Sequence, residues 1–315
     1  MVRELSAQLN EGDLLIFNDT RVMAARLEGV RCRTGGRAEF LALSVDGSRL
    51  EGLLKTRGTA LAGELFSLGA GLELRLAEET TEGRALLELV DASSAAEALE
   101  HHGRMPLPPY IRRARGSDAR DALDRVRYQT EHAQCVGAAA APTAGLHFSE
   151  SLREALRVRG VQSACITLHT GLGTFRPLSG ESLDTHVMHE EVFTVSREAA
   201  AAHAACRARG GRVIAVGTTV LRALETVATG NREEGVRLLP QSGCTRLFLR
   251  PPAEILSADR LFTNFHAPRS TLLVLLAAFA GHDSMRAAYA HALQGPYRFL
   301  SYGDATLFDN RRPMR

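Results

Sequence analysis

Between about Gly29 and His102 the chain alternates apolar and polar residues in short runs broken by glycine, and beyond Pro142 that rhythm stops. The first texture includes Arg37-Ala-Glu-Phe-Leu-Ala-Leu, Arg49-Leu-Glu-Gly-Leu-Leu-Lys, Leu72-Glu-Leu-Arg-Leu and Ala85-Leu-Leu-Glu-Leu-Val. A period of two with turn residues between runs predicts a small antiparallel sheet or barrel. In the second texture, Ser149 or Ser151 can cap a helix that ends near Arg159, and Val161-Gln-Ser-Ala-Cys-Ile-Thr-Leu reads as a strand. An Ala-rich helix after Ser196 stops at Gly210-Gly211, and Arg212 to Val216 reads as another strand. Such alternation predicts an α/β sheet flanked by helices, with ligands at the strand carboxyl ends. The expected organisation is a discontinuous α/β domain, residues 1–28 and 103–315, with an inserted β domain at 29–102. Its 315 residues suffice for both.

Charge narrows the partners. The 38 basic residues nearly balance 36 acidic ones, so no global field advertises a polyanion. All but one of the basic residues, Lys55, are arginine, so almost every phosphate or carboxylate contact would use a planar guanidinium. Five scattered cysteines without a CxxC pair indicate a reduced, cytoplasmic protein. The first residues carry no apolar signal core, and the strongest apolar run, Leu272 to Ala280, is too short to span a bilayer of the usual ~20 residues. No membrane association is expected.

Six polar islands could carry chemistry. Val216-Gly-Thr-Thr-Val-Leu-Arg222 is a strand, a glycine turn and a helix start, where free N–H groups beside Thr218 and Thr219 suit a carboxylate or phosphate. The alternative is an ordinary capped helix with Arg222 and Glu225 as a surface pair. His169-Thr-Gly-Leu-Gly-Thr-Phe-Arg places Gly171 and Gly173 where backbone could approach a ligand, although Arg176 breaks a GxGxxG pattern. A tight turn with a buried His169 is the other reading. His186-Val-Met-His189-Glu190-Glu191 admits a metal, but without HExxH it reads better as a solvated charge run or as Glu191 turned into a cleft. Tyr110 to Tyr128 concentrates arginines, among them Arg112, Arg113 and Arg115, between two aromatics that could stack on bases. Its alternative is a salt-bridged helix with Asp118, Asp121 and Asp124 as partners. Finally, Thr263-Asn-Phe-His266 and Ser301-Tyr302-Gly-Asp304 suit hydrogen-bonded recognition or proton transfer.

Read together, the islands resemble the S-adenosylmethionine:tRNA ribosyltransferase-isomerase family of queuosine biosynthesis. The resemblance is carried by Gly12-Asp-Leu-Leu-Ile-Phe-Asn18-Asp-Thr20-Arg21, Met105-Pro-Leu-Pro-Pro-Tyr110-Ile, Tyr128-Gln129-Thr, and Ala140-Ala-Pro142-Thr143-Ala-Gly145-Leu-His147-Phe. It continues through Leu168-His169, Gly171-Leu-Gly173-Thr174-Phe175-Arg-Pro, Met188-His with Glu191, and Gly217-Thr218-Thr219 with Arg222 and Glu225. Asn264 and His266, Ala278-Phe-Ala-Gly, and Tyr302 with Asp304 complete it, so that nearly the whole chain is covered.

The resemblance implies an α/β domain interrupted by a small antiparallel β-barrel. It also implies transfer of the ribosyl part of S-adenosylmethionine to the 7-aminomethyl-7-deazaguanine wobble base of tRNA, giving epoxyqueuosine, adenine and methionine. S-adenosylmethionine is then a co-substrate, the tRNA anticodon loop the partner, and no metal is needed. The sulfonium acidifies the adjacent methylene, so a base can start the rearrangement and an acid can assist adenine departure. His147, His169 and His266 are the expected proton carriers. Glu191 and Glu225 are expected to stabilise the sulfonium or orient a histidine, and Arg21, Arg112 and Arg113 to meet RNA phosphates. The remaining motif residues, including Asn18, Thr20, Tyr110, Tyr128 and Gln129, are expected to bind substrate, and a monomer is expected. Thr170 stands where the family has valine. The resemblance also implies a further N-terminal segment ahead of the region matching Gly12. Two alternatives remain: a paralogue acting on a small-molecule acceptor, and a non-catalytic RNA-binding protein.

Overall fold

The computed structural model describes residues 2–79, 83–114, 118–171 and 183–312. From the N-terminus, α1 (Leu5–Gln8), β1 (Leu14–Asn18) and β2 (Thr20–Val22) precede six strands: β3 (Arg26–Arg31), β4 (Arg37–Asp46), β5 (Arg49–Thr56), β6 (Leu65–Leu68), β7 (Leu72–Glu79) and β8 (Arg84–Leu89). Then come α2 (Ala95–His102), α3 (Asp121–Arg127), β9 (Cys135–Ala138), a 3-10 turn at Thr143–His147, α4 (Glu150–Val158), β10 (Gln162–Leu168) and β11 (Glu191–Val195). The chain continues with α5 (Arg197–Ala208), β12 (Val213–Val216), α6 (Thr218–Val227), β13 (Ala228–Asn231), β14 (Gly235–Leu238) and β15 (Gln241–Thr245). It closes with β16 (Arg260–Asn264), α7 (Thr271–Ala280), α8 (His282–Gln294) and β17 (Ala305–Asp309).

Contacts divide the chain into two compact units, residues 1–20, 130–135 and 142–315, and residues 21–129 and 136–141. The span 29–102 read from the sequence falls inside the second.

In the second unit, β3-β4-β5-β8-β7-β6 close into a barrel of antiparallel pairs. Alternate residues point inward, so Leu27, Phe40, Ala42, Leu50, Phe66, Leu74 and Leu87 make the core and their neighbours meet solvent. Register shifts at Ala42/Ser44 and Leu76/Glu78 supply the bends that closure needs. Closure also needs Gly29: a Cβ there would lie 2.0 Å from the Ser67 carbonyl oxygen on β6. A second cluster joins Val22, Ala24, Met105, Leu107, Tyr128, Ala138 and Ala141.

The first unit holds a seven-stranded sheet ordered β15-β11-β10-β1-β12-β16-β17. The four central strands are parallel; β11 and β17 run against them at the flanks, and β15 pairs antiparallel with β11. Each strand residue contributes to one face. Leu14, Ile16, Val213 and Ala215 pack under α5, α6 and α7, while Leu15, Phe17, Ile214 and Val216 pack with Phe148, Leu152 and Leu156. Ser149, not Ser151, caps α4, and Ser196 caps α5 as its position before the Ala-rich run predicts. Strand β1 pairs with β10 on one side and with β12, the next parallel strand in the chain, on the other. The carboxyl end of β1 is therefore a topological switch point, where open α/β sheets leave a crevice.

Candidate active site

Asn18 ends β1 at that switch point and is buried. Its Nδ2 donates to the Leu168 carbonyl on β10 (2.9 Å) and to Thr219 Oγ1 after β12 (3.3 Å), and its Oδ1 accepts from the Leu168 and Thr20 N–H groups. One amide thus fixes the ends of three neighbouring parallel strands. Thr20 Oγ1 hydrogen-bonds His169 Nδ1 at 2.8 Å, and the His169 N–H donates to the Val192 carbonyl.

Glu191 opens β11 and is buried. Its Oε2 is ion-paired with Arg222 Nη1, and its Oε1 accepts from the Gly171 N–H. Arg222 also donates from Nε to the Leu247 carbonyl (3.0 Å). Gly217 turns the chain from β12 into α6 at φ +99°, a conformation glycine tolerates and other residues resist. The start of α6 carries no side-chain cap, and Thr218 and Thr219 are buried there.

On the other side of β12, Thr143 Oγ1 donates to Asn264 Oδ1 (3.0 Å), and Asn264 Nδ2 donates to His147 Nε2 (3.1 Å). This arrangement leaves the His147 proton on Nδ1. Pro142 and Gly145 are buried beside it, with Gly145 packed so closely that a Cβ would meet Thr130 Cγ2 at 2.9 Å. Burial holds the pKa of both His147 and His169 below the ordinary histidine value, opposed by Asp304 for His147 and Asp19 for His169. Both are therefore unprotonated at neutral pH and able to accept a proton.

Several residues expected at the site are committed elsewhere. His266 bonds Thr263 Oγ1 through Nε2, its N–H donates to the Tyr289 hydroxyl, and burial pushes its pKa down to about 4. So weak a base is a poor proton carrier at neutral pH. Glu225 lies on α6 about 10 Å along the axis from Thr218 at 1.5 Å per residue, receding from the carboxyl end of the sheet. Its Oε1 accepts from the Leu256 and Ser257 N–H groups, a loop clamp, and burial raises its pKa. Asp304 accepts from the Arg298 N–H, and Tyr302 is exposed.

In the barrel-bearing unit, Tyr128 is fully buried, so it offers no face for a base to stack on, whereas Tyr110 is exposed. Gln129 spends its amide on both backbone groups of Val22. Arg113 forms a two-bond pair with buried Asp124 (2.6 and 2.8 Å), while Arg120 pairs with Asp118 and Arg104 with Asp121, which is the salt-bridged reading of this stretch. Arg21 and Arg112 are exposed. Gly173, Thr174, Phe175 and Arg115 lie outside the described residues. In the His186–Glu191 stretch, Glu190 pairs with Arg246 and His186 packs edge-on against Phe248. Among the described residues no three His, Cys, Asp or Glu side chains converge as metal ligands. Asn264 hydrogen-bonds His147, a contact between residues 117 positions apart that no local sequence signal reveals.

A parallel-centred α/β sheet with oriented, uncharged imidazoles and a buried ion pair at its carboxyl ends is the framework of an enzyme working by proton transfer on a bound small molecule. The comparisons with known proteins make the class specific. A family model described as queuosine biosynthesis protein matches residues 1–308. The S-adenosylmethionine:tRNA ribosyltransferase-isomerase of Acidithiobacillus ferrooxidans is 49% identical, covering 97% of this chain and 86% of that protein. The protein of the same name from Herminiimonas arsenicoxydans is 45% identical, covering 97% and 85%. Among solved structures, an S-adenosylmethionine tRNA ribosyltransferase from Thermotoga maritima is 30% identical with a TM-score of 0.48, covering 97% of this chain and 85% of that one. The chain belongs to the queuosine biosynthesis protein family, whose curated members here are S-adenosylmethionine:tRNA ribosyltransferase-isomerases.

Proposed function

We propose that the protein transfers and isomerises the ribosyl group of S-adenosylmethionine onto the 7-aminomethyl-7-deazaguanine wobble base of tRNA, forming epoxyqueuosine and releasing adenine and methionine. Support comes from family membership over nearly the whole chain and from one observation above others. His147 and His169 are each oriented by a buried neighbour, Asn264 and Thr20, and each is kept unprotonated by burial. The chemistry needs such a base next to the sulfonium. One imidazole takes a proton from the methylene beside sulfur, and its protonated form can return a proton as adenine leaves. The substrate amine then bonds to the sugar and gives up a proton, and cleavage of the carbon–sulfur bond releases methionine. Asn18, Thr219 and the Gly171 backbone form the wall against which the nucleoside would be held.

The residues present suit a zwitterionic nucleoside: hydroxyl and amide groups for the sugar, and a charged pair, Glu191 and Arg222, for the amino-acid part. Arg21, Arg112 and exposed Tyr110 are the residues offered for RNA on the barrel-bearing unit. No helix of the described residues is long and apolar enough to cross a membrane, and we place the enzyme in the cytoplasm, as a monomer. Incubation with S-adenosylmethionine and tRNA, with or without the 7-aminomethyl-deazaguanine base, tests the reading. Adenine and methionine release is expected only with the modified tRNA. Adenine release indifferent to RNA would move the acceptor to a small molecule, and RNA retention without turnover would leave only a binding protein.

A further inference from the structure

Two donors beside Glu191 have no hydrogen-bond partner among the described residues. Arg222 is 5% exposed, and its Nη2 is buried without a hydrogen bond although Nη1 and Nε are engaged. Thr170 is 3% exposed, and its hydroxyl is likewise buried and unpartnered. Both residues are tied to the same carboxylate, Arg222 directly and Thr170 through its chain neighbour. Arg222 holds Glu191 Oε2, and the residue after Thr170 donates its N–H to Glu191 Oε1. A buried N–H or hydroxyl left unpaired loses its water bonds without replacement, so two together mark a place where an acceptor is missing. A third feature agrees. Arg222 lies one turn along α6 from Thr218, on the same face, and the start of that helix carries no side-chain cap.

We propose that Arg222 Nη2 and the Thr170 hydroxyl bind the carboxylate of the methionyl group of the sulfonium donor. The inference rests on the reading of S-adenosylmethionine as the ligand and assigns one part of it. The required acceptor must be anionic, because it faces a guanidinium and the positive end of a helix. It must also be small, because both donors are almost wholly withdrawn from solvent. A carboxylate on a flexible chain meets both conditions, whereas a phosphate in an RNA backbone would have to bring its bulky flanking sugars to the same depth. Glu191 holds the guanidinium in place, so Arg222 keeps one orientation with or without ligand.

Calorimetry with the full-length protein separates the possibilities, using S-adenosylmethionine and its decarboxylated form as probes against wild type, Thr170→Val and Thr170→Ser. Wild type is expected to bind the carboxylated probe on the order of 100-fold more tightly, the range for losing a charge-assisted bond and leaving its donor unpaired. Thr170→Val, which keeps the side-chain volume, should narrow that preference roughly tenfold without altering affinity for the decarboxylated probe. Thr170→Ser should restore the preference. Equal wild-type affinity for the two probes overturns the proposal while leaving the donor's identity intact, and it is also the result expected if an RNA phosphate occupies the subsite. A wild-type preference that Thr170→Val leaves unchanged, or an equal loss for both probes, removes Thr170 from the subsite and overturns the proposal as stated. Failure of wild type to bind either probe, with modified tRNA present, defeats the functional reading as well.

Discussion

Asn264 shows how much of this site is decided by single hydrogen bonds. Its Nδ2 donates to His147 Nε2, which stabilises the unprotonated ring. Replacing it with Asp puts a negative acceptor there and favours the imidazolium instead. The acid limb of the kcat/KM profile is then expected to move to higher pH in Asn264→Asp, with activity restored in part at alkaline pH. A limb that stays in place would mean His147 is not the titrating base. Wild-type activity should fall only below the ordinary histidine value of about 6.5, since both candidate bases are held below it by burial. A different histidine governs stability. His203 on α5 is fully buried against the Ser257 carbonyl (3.0 Å), and burial pushes its pKa down to about 4. In the unfolded chain it protonates near 6.5, so between those values the unfolded state binds the extra proton and stability declines as pH falls. The decline should reach about 3 kcal/mol by pH 4. Urea unfolding at a series of pH values measures it, and His203→Gln should flatten the dependence.

At the level of elements, the barrel depends on close backbone approach and the sheet on alternation. Gly29→Val would place side-chain carbon on the Ser67 carbonyl where β3 and β6 pair, so the barrel could not close. The expected result is rapid amide exchange and proteolysis within β3 and β6. Phe40 is fully buried in the barrel core, and Phe40→Ala should cost about 3–5 kcal/mol of unfolding free energy by denaturant titration. Period-two patterning from Arg37 to Val90 made these strands legible, as did the serine caps and glycine stops around α4 and α5. The order β10-β1-β12 was not legible. Parallel pairing between Leu14 and Gln162 joins residues that no local signal connects.

Over the whole molecule, the near balance of charge leaves any nucleic-acid contact to local groups of arginines. Of the three proposed for RNA, Arg113 is paired with Asp124, while Arg21 and Arg112 are exposed. Neutralising Arg21 or Arg112 should therefore weaken tRNA binding and reduce the slope of log K against log salt by about one each. Arg113→Ala should instead destabilise the fold by leaving Asp124 buried without its partner, with little change in the slope. Filter binding across salt concentrations, alongside thermal melts, distinguishes the two effects. An Arg113 variant that melts normally yet flattens the slope would return it to the RNA-binding set.

The sequence by itself determined the two textures, the helix caps and the islands of His, Thr, Asn and Glu, because local backbone preferences and hydrophobic periodicity act over a few residues. It also carried the family resemblance, since ordered motifs survive without any knowledge of contacts. Only the tertiary structure decided which islands meet. It joined Asn18 to Leu168 and Thr219, turned Asn264 toward His147, buried Tyr128, and sent Glu225 away from the strand ends. Those outcomes depend on strand order and burial, which arise from packing between segments distant in the sequence.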